Sequence, residues 1–153
     1  MPDLPAHKIT QLPNSDKPLL SHDHKTLIAA AIAAMKSAYA PYSKFHVGAA
    51  ILAENGNIYT GCNVENAAYP IGSCAEAGAI SAMVMAGQTK IIAIAVAGRS
   101  KELCTPCGGC RQRIREFAKA STPILICDES GLRHSATLDA LLPLSFGPNN
   151  LQS

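Results

Sequence analysis

The chain has 153 residues, 48% of them hydrophobic and 16% charged, with a formal net charge of +2. That length supports one domain with one substantial core; the hydrophobic share excludes a disordered chain, and the small charge gives no electrostatic argument for a nucleic-acid partner. No apolar run reaches the roughly 18 residues of a membrane-spanning helix.

In chain order, the first 20 residues carry prolines at 2, 5, 13 and 18 and lack the apolar stretch of a secretory leader. They read as a loosely ordered tail ahead of a single domain over 21–153. From Ser21 the spacing turns helical: Ile28, Ala31, Ile32, Met35 and Tyr39 recur on one face until Pro41 stops the run. FHVGAAILAE (45–54) and NIYTGCNVE (57–65) flank Asn55-Gly56 and predict a β-hairpin. CAEAGAISAMVMA (74–86) predicts a helix closed by Gly87. IIAIAVAG (91–98) predicts a strand buried on both faces. CRQRIREFAKA (110–120) predicts a helix with Ile114, Phe117 and Ala118 on one side, and PILICD (123–128) a second buried strand. A turn follows at Glu129-Ser-Gly131, and Thr137 is placed to cap a short last helix that Pro143 ends. The order α-β-β-α-β-α-β-α predicts a three-layer α/β/α sandwich with a mixed β-sheet.

Six cysteines without an export signal suggest a reducing cytoplasm, where clustered thiols serve as metal ligands or catalytic groups more often than as disulfides. CTPCGGC (104–110) divides two ways. Cys104-Thr-Pro-Cys107 has the spacing of a dithiol redox site. Cys107-Gly-Gly-Cys110 is a pair of metal ligands at the mouth of a helix, where free N–H groups and the positive helix end favour thiolates. Cys74 opens the other helix in the same way. Three protein ligands with one open position is how catalytic zinc is held. Glu76, two residues after Cys74, can take a proton from a zinc-activated water without joining the ligand shell. A ligand-x-Glu followed by P-C-x-x-C is the constellation of zinc deaminases. The joint pattern favours the metal division, and Cys62, Cys104 and Cys127 are left as apolar packing. Arg111, Arg113, Arg115 and Lys119 form a basic helix face, read as solvated surface or subunit contact.

At these residues the sequence closely resembles the cytidine deaminase family, in its small homotetrameric branch with three cysteine ligands. Four blocks carry the resemblance over roughly residues 25–152: APYSKFHVGAA (40–50), GCNVENAAYPIGSCAE (61–76), TPCGGCRQ (105–112) and LLPLSFGP (141–148). It implies one Zn2+ per subunit, held by Cys74, Cys107 and Cys110, with Glu76 as proton shuttle. The implied reaction is hydrolytic deamination of cytidine and deoxycytidine, with release of ammonia, in pyrimidine salvage. Phe45 would pack by the pyrimidine, and Asn63 and Glu65 would hold the ribose hydroxyls. The Ala75 N–H would donate to the carbonyl at C2, and the Thr105 carbonyl would lie near the departing amine. Tyr69 would lie at a subunit interface near the pocket, and Phe146 would enter a neighbouring subunit's site.

The residues alone leave open whether Asn63 and Glu65 are a polar pair on a wet strand edge, and whether Phe45 and Phe146 are core. One position departs from the family's Cys-Ala-Glu-Arg: residue 77 is alanine, followed by Gly78. The charge of three thiolates would then be offset by helix N-termini or by Arg111. Deamination of another aminopyrimidine nucleoside such as blasticidin S, editing of nucleic acid, and a non-enzymatic zinc or redox module are the competing readings.

Overall fold

Side-chain alternation along three central strands divides the core into two layers. In β1 (Val47–Ala53), Ala49, Ile51 and Ala53 enter one cluster and Ala50 the other. In β3 (Ile91–Gly98), Ile94 and Val96 alternate with Ala93, Ala95 and Ala97. In β4 (Pro123–Asp128), Ile124 and Ile126 alternate with Leu125 and Cys127. Strands apolar on both faces must be covered on both. The helix α1 (His22–Met35) covers the alanine-rich face with Leu27, Ile28, Ala31 and Met35. The helices α2 (Ala75–Met85), α3 (Gly108–Phe117) and α4 (Leu138–Leu141) supply Ala75, Ala79, Ile80, Met83, Ile114 and Leu138 to the other face. The computed structural model describes residues 22–151, so the tail expected over 1–20 lies outside the described residues.

With β2 (Ile58–Cys62) and β5 (Gly131–Thr137), the sheet order is β2-β1-β3-β4-β5. Only β3 and β4 pair in parallel; the other three pairings are antiparallel. The three-layer α/β/α sandwich with a mixed sheet therefore holds. Among the described residues no helix is long and apolar enough to cross a membrane.

Two glycines set how closely the helices approach. A Cβ on Gly48 would lie 2.2 Å from the Ala31 carbonyl oxygen and 2.3 Å from the Met35 nitrogen. On Gly61 it would lie 2.3 Å from the Ala79 nitrogen and 2.4 Å from the Ala75 carbonyl oxygen. Any side chain there would push a helix off the sheet.

Several boundaries differ from the sequence reading. The first helix ends at Met35 and not near Pro41, because Tyr39 is taken into backbone pairing: its N–H donates to Asn63 O at 3.0 Å, and its carbonyl accepts from Glu65 N–H at 2.8 Å. The hairpin strands are shorter than expected at their outer ends, with residues 45–46 and 63–65 in the loops that build the pocket. Helix α3 starts two residues early, using both glycines as its first turn. β5 was not foreseen. It is an edge strand of mixed polarity, GLRHSAT, with only Leu132 packed on the core, so no β-branched apolar run marks it. Thr137 does sit at the N-cap of α4, but its hydroxyl donates to the Asp139 carboxylate at 2.5 Å and does not cap the helix.

Candidate active site at the mouths of two helices

Helices α2 and α3 begin alike. Each has a cysteine at its N-cap in extended geometry: Cys74 at φ −76° and ψ 155°, Cys107 at φ −66° and ψ 166°. Neither side chain caps its own helix, so both sulfurs are free to face outward beside unpaired N–H groups. Cys110 lies one turn into α3 and is fully buried. The three Sγ atoms all lie within 4.8 Å of one another. Four-coordinate zinc at about 2.3 Å from each sulfur requires sulfur pairs roughly 3.8 Å apart, a separation that lies within the 4.8 Å span of this cluster.

The electrostatics also call for a cation. Burial pushes the Cys74 and Cys110 thiols up, and Glu76 adds to both shifts. Cys107 alone is lowered, chiefly by the Cys110 backbone N–H near its sulfur at the helix start. Three sulfurs crowded together do not all ionise in a low dielectric. A bound divalent ion inverts that balance and makes thiolates the stable ligands. The donor set therefore fits one Zn2+, which Cys74, Cys107 and Cys110 would hold.

That pocket has a volume of about 630 Å³. Its floor carries Cys74, Ala75, Glu76, Thr105 and Cys107, and its walls include Phe45, Asn63, Glu65 and Tyr69. Glu76 is only 4% exposed and sits in the first turn of α2, near enough to act electrostatically on all three thiols. Ala75 is the first residue of α2, so its N–H is among those a helix start leaves without an intrahelical partner.

Asn63 and Glu65 lie just past β2, linked by Val64, which pairs with both Tyr39 and Ser73. Asn63 clamps the loop opposite: its Oδ1 accepts from Val47 N–H at 2.8 Å, and its Nδ2 donates to Phe45 O at 2.9 Å. Glu65 accepts from the N–H groups of Tyr42 (2.9 Å) and Ser43 (3.2 Å) and from the Ser43 hydroxyl. These bonds, with the Ser43 hydroxyl foremost, hold its carboxyl below the ordinary range. Phe45 is partly exposed and faces the pocket, and Tyr69 meets Tyr42 edge-on at a centroid distance of 5.9 Å.

Phe146 is not in this pocket. It is 59% exposed on the C-terminal segment, which α3 holds through one backbone and one side-chain acceptor: Gln112 Nε2 donates to Phe146 O at 3.0 Å and Arg115 Nε to Ser145 Oγ at 3.0 Å. The basic face expected on α3 is thus partly consumed within the chain. Arg111 likewise donates to Pro106 O at 2.7 Å, Leu141 O at 2.8 Å and Thr105 Oγ1 at 3.4 Å. Its hydrogen bonds go to oxygens, which fixes the loop ahead of Cys107 and leaves its charge to reach the thiolates only through space.

Cys104 packs against the core and also borders the pocket. Burial, then Glu76, pushes its thiol up to about 11, the opposite of what a reactive dithiol needs. Cys127 is buried in β4 with its thiol pushed up to about 12, first by burial, and Cys62 donates to Ser37 O at 3.5 Å. Ser43 and Tyr42 are pocket residues that sequence reasoning missed; the only available signal was their place inside the block that contains Phe45.

Residues 21–126 match the family described as the cytidine and deoxycytidylate deaminase zinc-binding region. The cytidine deaminase of Sporosarcina psychrophila is 43% identical over 129 residues, which cover 84% of this chain and 95% of that protein. The crystal structure of cytidine deaminase from Burkholderia pseudomallei superposes with a TM-score of 0.76 at 40% identity, over 83% of this chain and 100% of that one. The Mycobacterium tuberculosis cytidine deaminase gives 0.70 at 36% identity, over 80% and 95%.

Proposed function

This chain belongs to the cytidine and deoxycytidylate deaminase family, and we propose that it hydrolyses cytidine and deoxycytidine to uridine and deoxyuridine with release of ammonia. The observation that carries this reading is the buried Glu76 at the base of a pocket of nucleoside size that Cys74 and Cys107 also line, with Cys110 buried in the same sulfur cluster. Cys74, Cys107 and Cys110 would hold the zinc, which when bound supplies Lewis-acid activation of a water.

The remaining work falls to the chain. Glu76 takes a proton from the attacking water and places it on N3 of the ring as C4 is attacked. It then carries the water's second proton to the amino group, which leaves as ammonia. The Ala75 N–H holds the C2 carbonyl, and the Thr105 carbonyl receives the departing amine. Phe45 packs along the ring, while Asn63 and Glu65 receive the ribose hydroxyls. The raised Cys104 thiol and its absence from the sulfur cluster speak against a redox module.

The exposed Tyr69, Ile71, Leu144 and Phe146 support assembly with further copies, as a tetramer in which Phe146 enters a neighbour's pocket; sedimentation velocity reads the assembly directly. Residues 21–153 act as one deaminase domain, and six free thiols suit a cytoplasmic enzyme of pyrimidine salvage. The test is uridine formation by the purified protein from cytidine and deoxycytidine, with and without a zinc chelator. Chelator-sensitive turnover is expected; zinc-loaded protein inert toward both nucleosides would refute the proposal.

A further inference from the structure

Ser43 joins the two walls of the pocket. Its hydroxyl donates to Glu65 Oε1 and accepts from the Phe45 N–H at 3.0 Å. The carbonyl of the same Phe45 is held by Asn63 Nδ2 at 2.9 Å, and the next ladder position, Val47 N–H, by Asn63 Oδ1 at 2.8 Å. Both ends of Phe45 are therefore pinned by the side chains expected to face the ribose, directly through Asn63 and by way of Ser43 from Glu65. The neighbouring Lys44 sits at φ 59°, an unfavourable conformation for a side-chain-bearing residue that flanking contacts must hold. Ser43 is also the largest influence keeping the Glu65 carboxyl ionised.

We infer that Ser43 is a positioning residue of the pocket, coupling the carboxylate on the ribose side to the phenylalanine on the base side. The hydroxyl orients Glu65 together with the Tyr42 and Ser43 N–H groups and also holds the backbone that carries the Phe45 ring, so occupation of either subsite pre-organises the other. A charge-assisted hydrogen bond on the pocket wall affects substrate capture more than the chemical step, because Ser43 touches neither the sulfurs nor Glu76.

The inference rests on the deaminase reading for its kinetic half and on geometry alone for the other. Ser43→Ala is expected to raise KM for cytidine about tenfold, the loss typical of a hydrogen bond to a charged group, with kcat and zinc content unchanged. The rise should be smaller for 2′,3′-dideoxycytidine, which lacks the 2′ and 3′ hydroxyls, and Ser43→Thr should restore the parent KM. Hydrogen exchange at the Phe45 amide should accelerate about tenfold in Ser43→Ala and return in Ser43→Thr. An unchanged KM, an equal KM rise on both nucleosides, or unaltered exchange at Phe45 would each overturn the coupling. If the parent turns over no cytidine, the deaminase reading fails on its own, and the exchange experiment still decides whether Ser43 holds the clamp.

Discussion

Cys104 and Cys107 stand three residues apart in one loop, yet the structure gives them opposite environments. Cys107 meets a free helix end, and its thiol is lowered; Cys104 faces the core, and its thiol is raised to about 11. This difference yields a prediction that separates them by metal content. Cys107→Ser should lose zinc on dialysis, whereas Cys104→Ser should retain one ion per chain by elemental analysis; the reverse pattern would reassign the ligands. At this scale the clustering of Cys74, Cys107 and Cys110 was legible, because three thiols and a glutamate have few other uses at helix starts. Asn63 and Glu65 were legible only as a polar pair until the family blocks were read. Ser43 was not legible at all, since its partner Glu65 is 22 residues away and a serine in a turn has many bland explanations.

Among elements, the glycines under α1 and α2 make a paired experiment. Gly48 lets α1 approach one face of the sheet, and Gly61 lets α2, which carries Cys74, Ala75 and Glu76, approach the other. Overpacking at such contacts costs roughly 1–3 kcal/mol, or a fall in Tm of several degrees for a chain of this size. Gly48→Ala and Gly61→Ala should both lower Tm, but only Gly61→Ala should also weaken zinc binding, measured by competition with a chelating dye. Equal zinc affinity in the two variants would show that the seating of α2 does not set the site. The buried strands β3 and β4 were readable to the residue from their apolar runs, as was the hairpin turn. What escaped were elements specified by distant partners: β5, defined by pairing with β4, and the end of α1, where backbone groups of Asn63 and Glu65 capture Tyr39.

For the molecule as a whole, the proposed zinc joins helices that otherwise meet through few contacts, at one end of a sheet whose two faces have separate cores. Its removal should be felt in global stability. A ligand present at a thousandfold excess over its dissociation constant adds about 4 kcal/mol, so chelation should lower Tm by about 8 °C or more, reversibly on adding zinc. A melting curve indifferent to chelator would place the metal outside the folding unit. The mixed sheet with helices on both faces followed from the element order even though one strand was missed, because β5 extends the edge without changing the layers. The assignment of chemistry to the pocket hangs on Glu76. The most direct measurement is ammonia release from cytidine by the parent and by Glu76→Gln, each with its zinc content determined. Both proteins should carry one zinc per chain, with kcat about a thousandfold lower in the variant. A zinc-loaded Glu76→Gln that releases ammonia at the parent rate would contradict it.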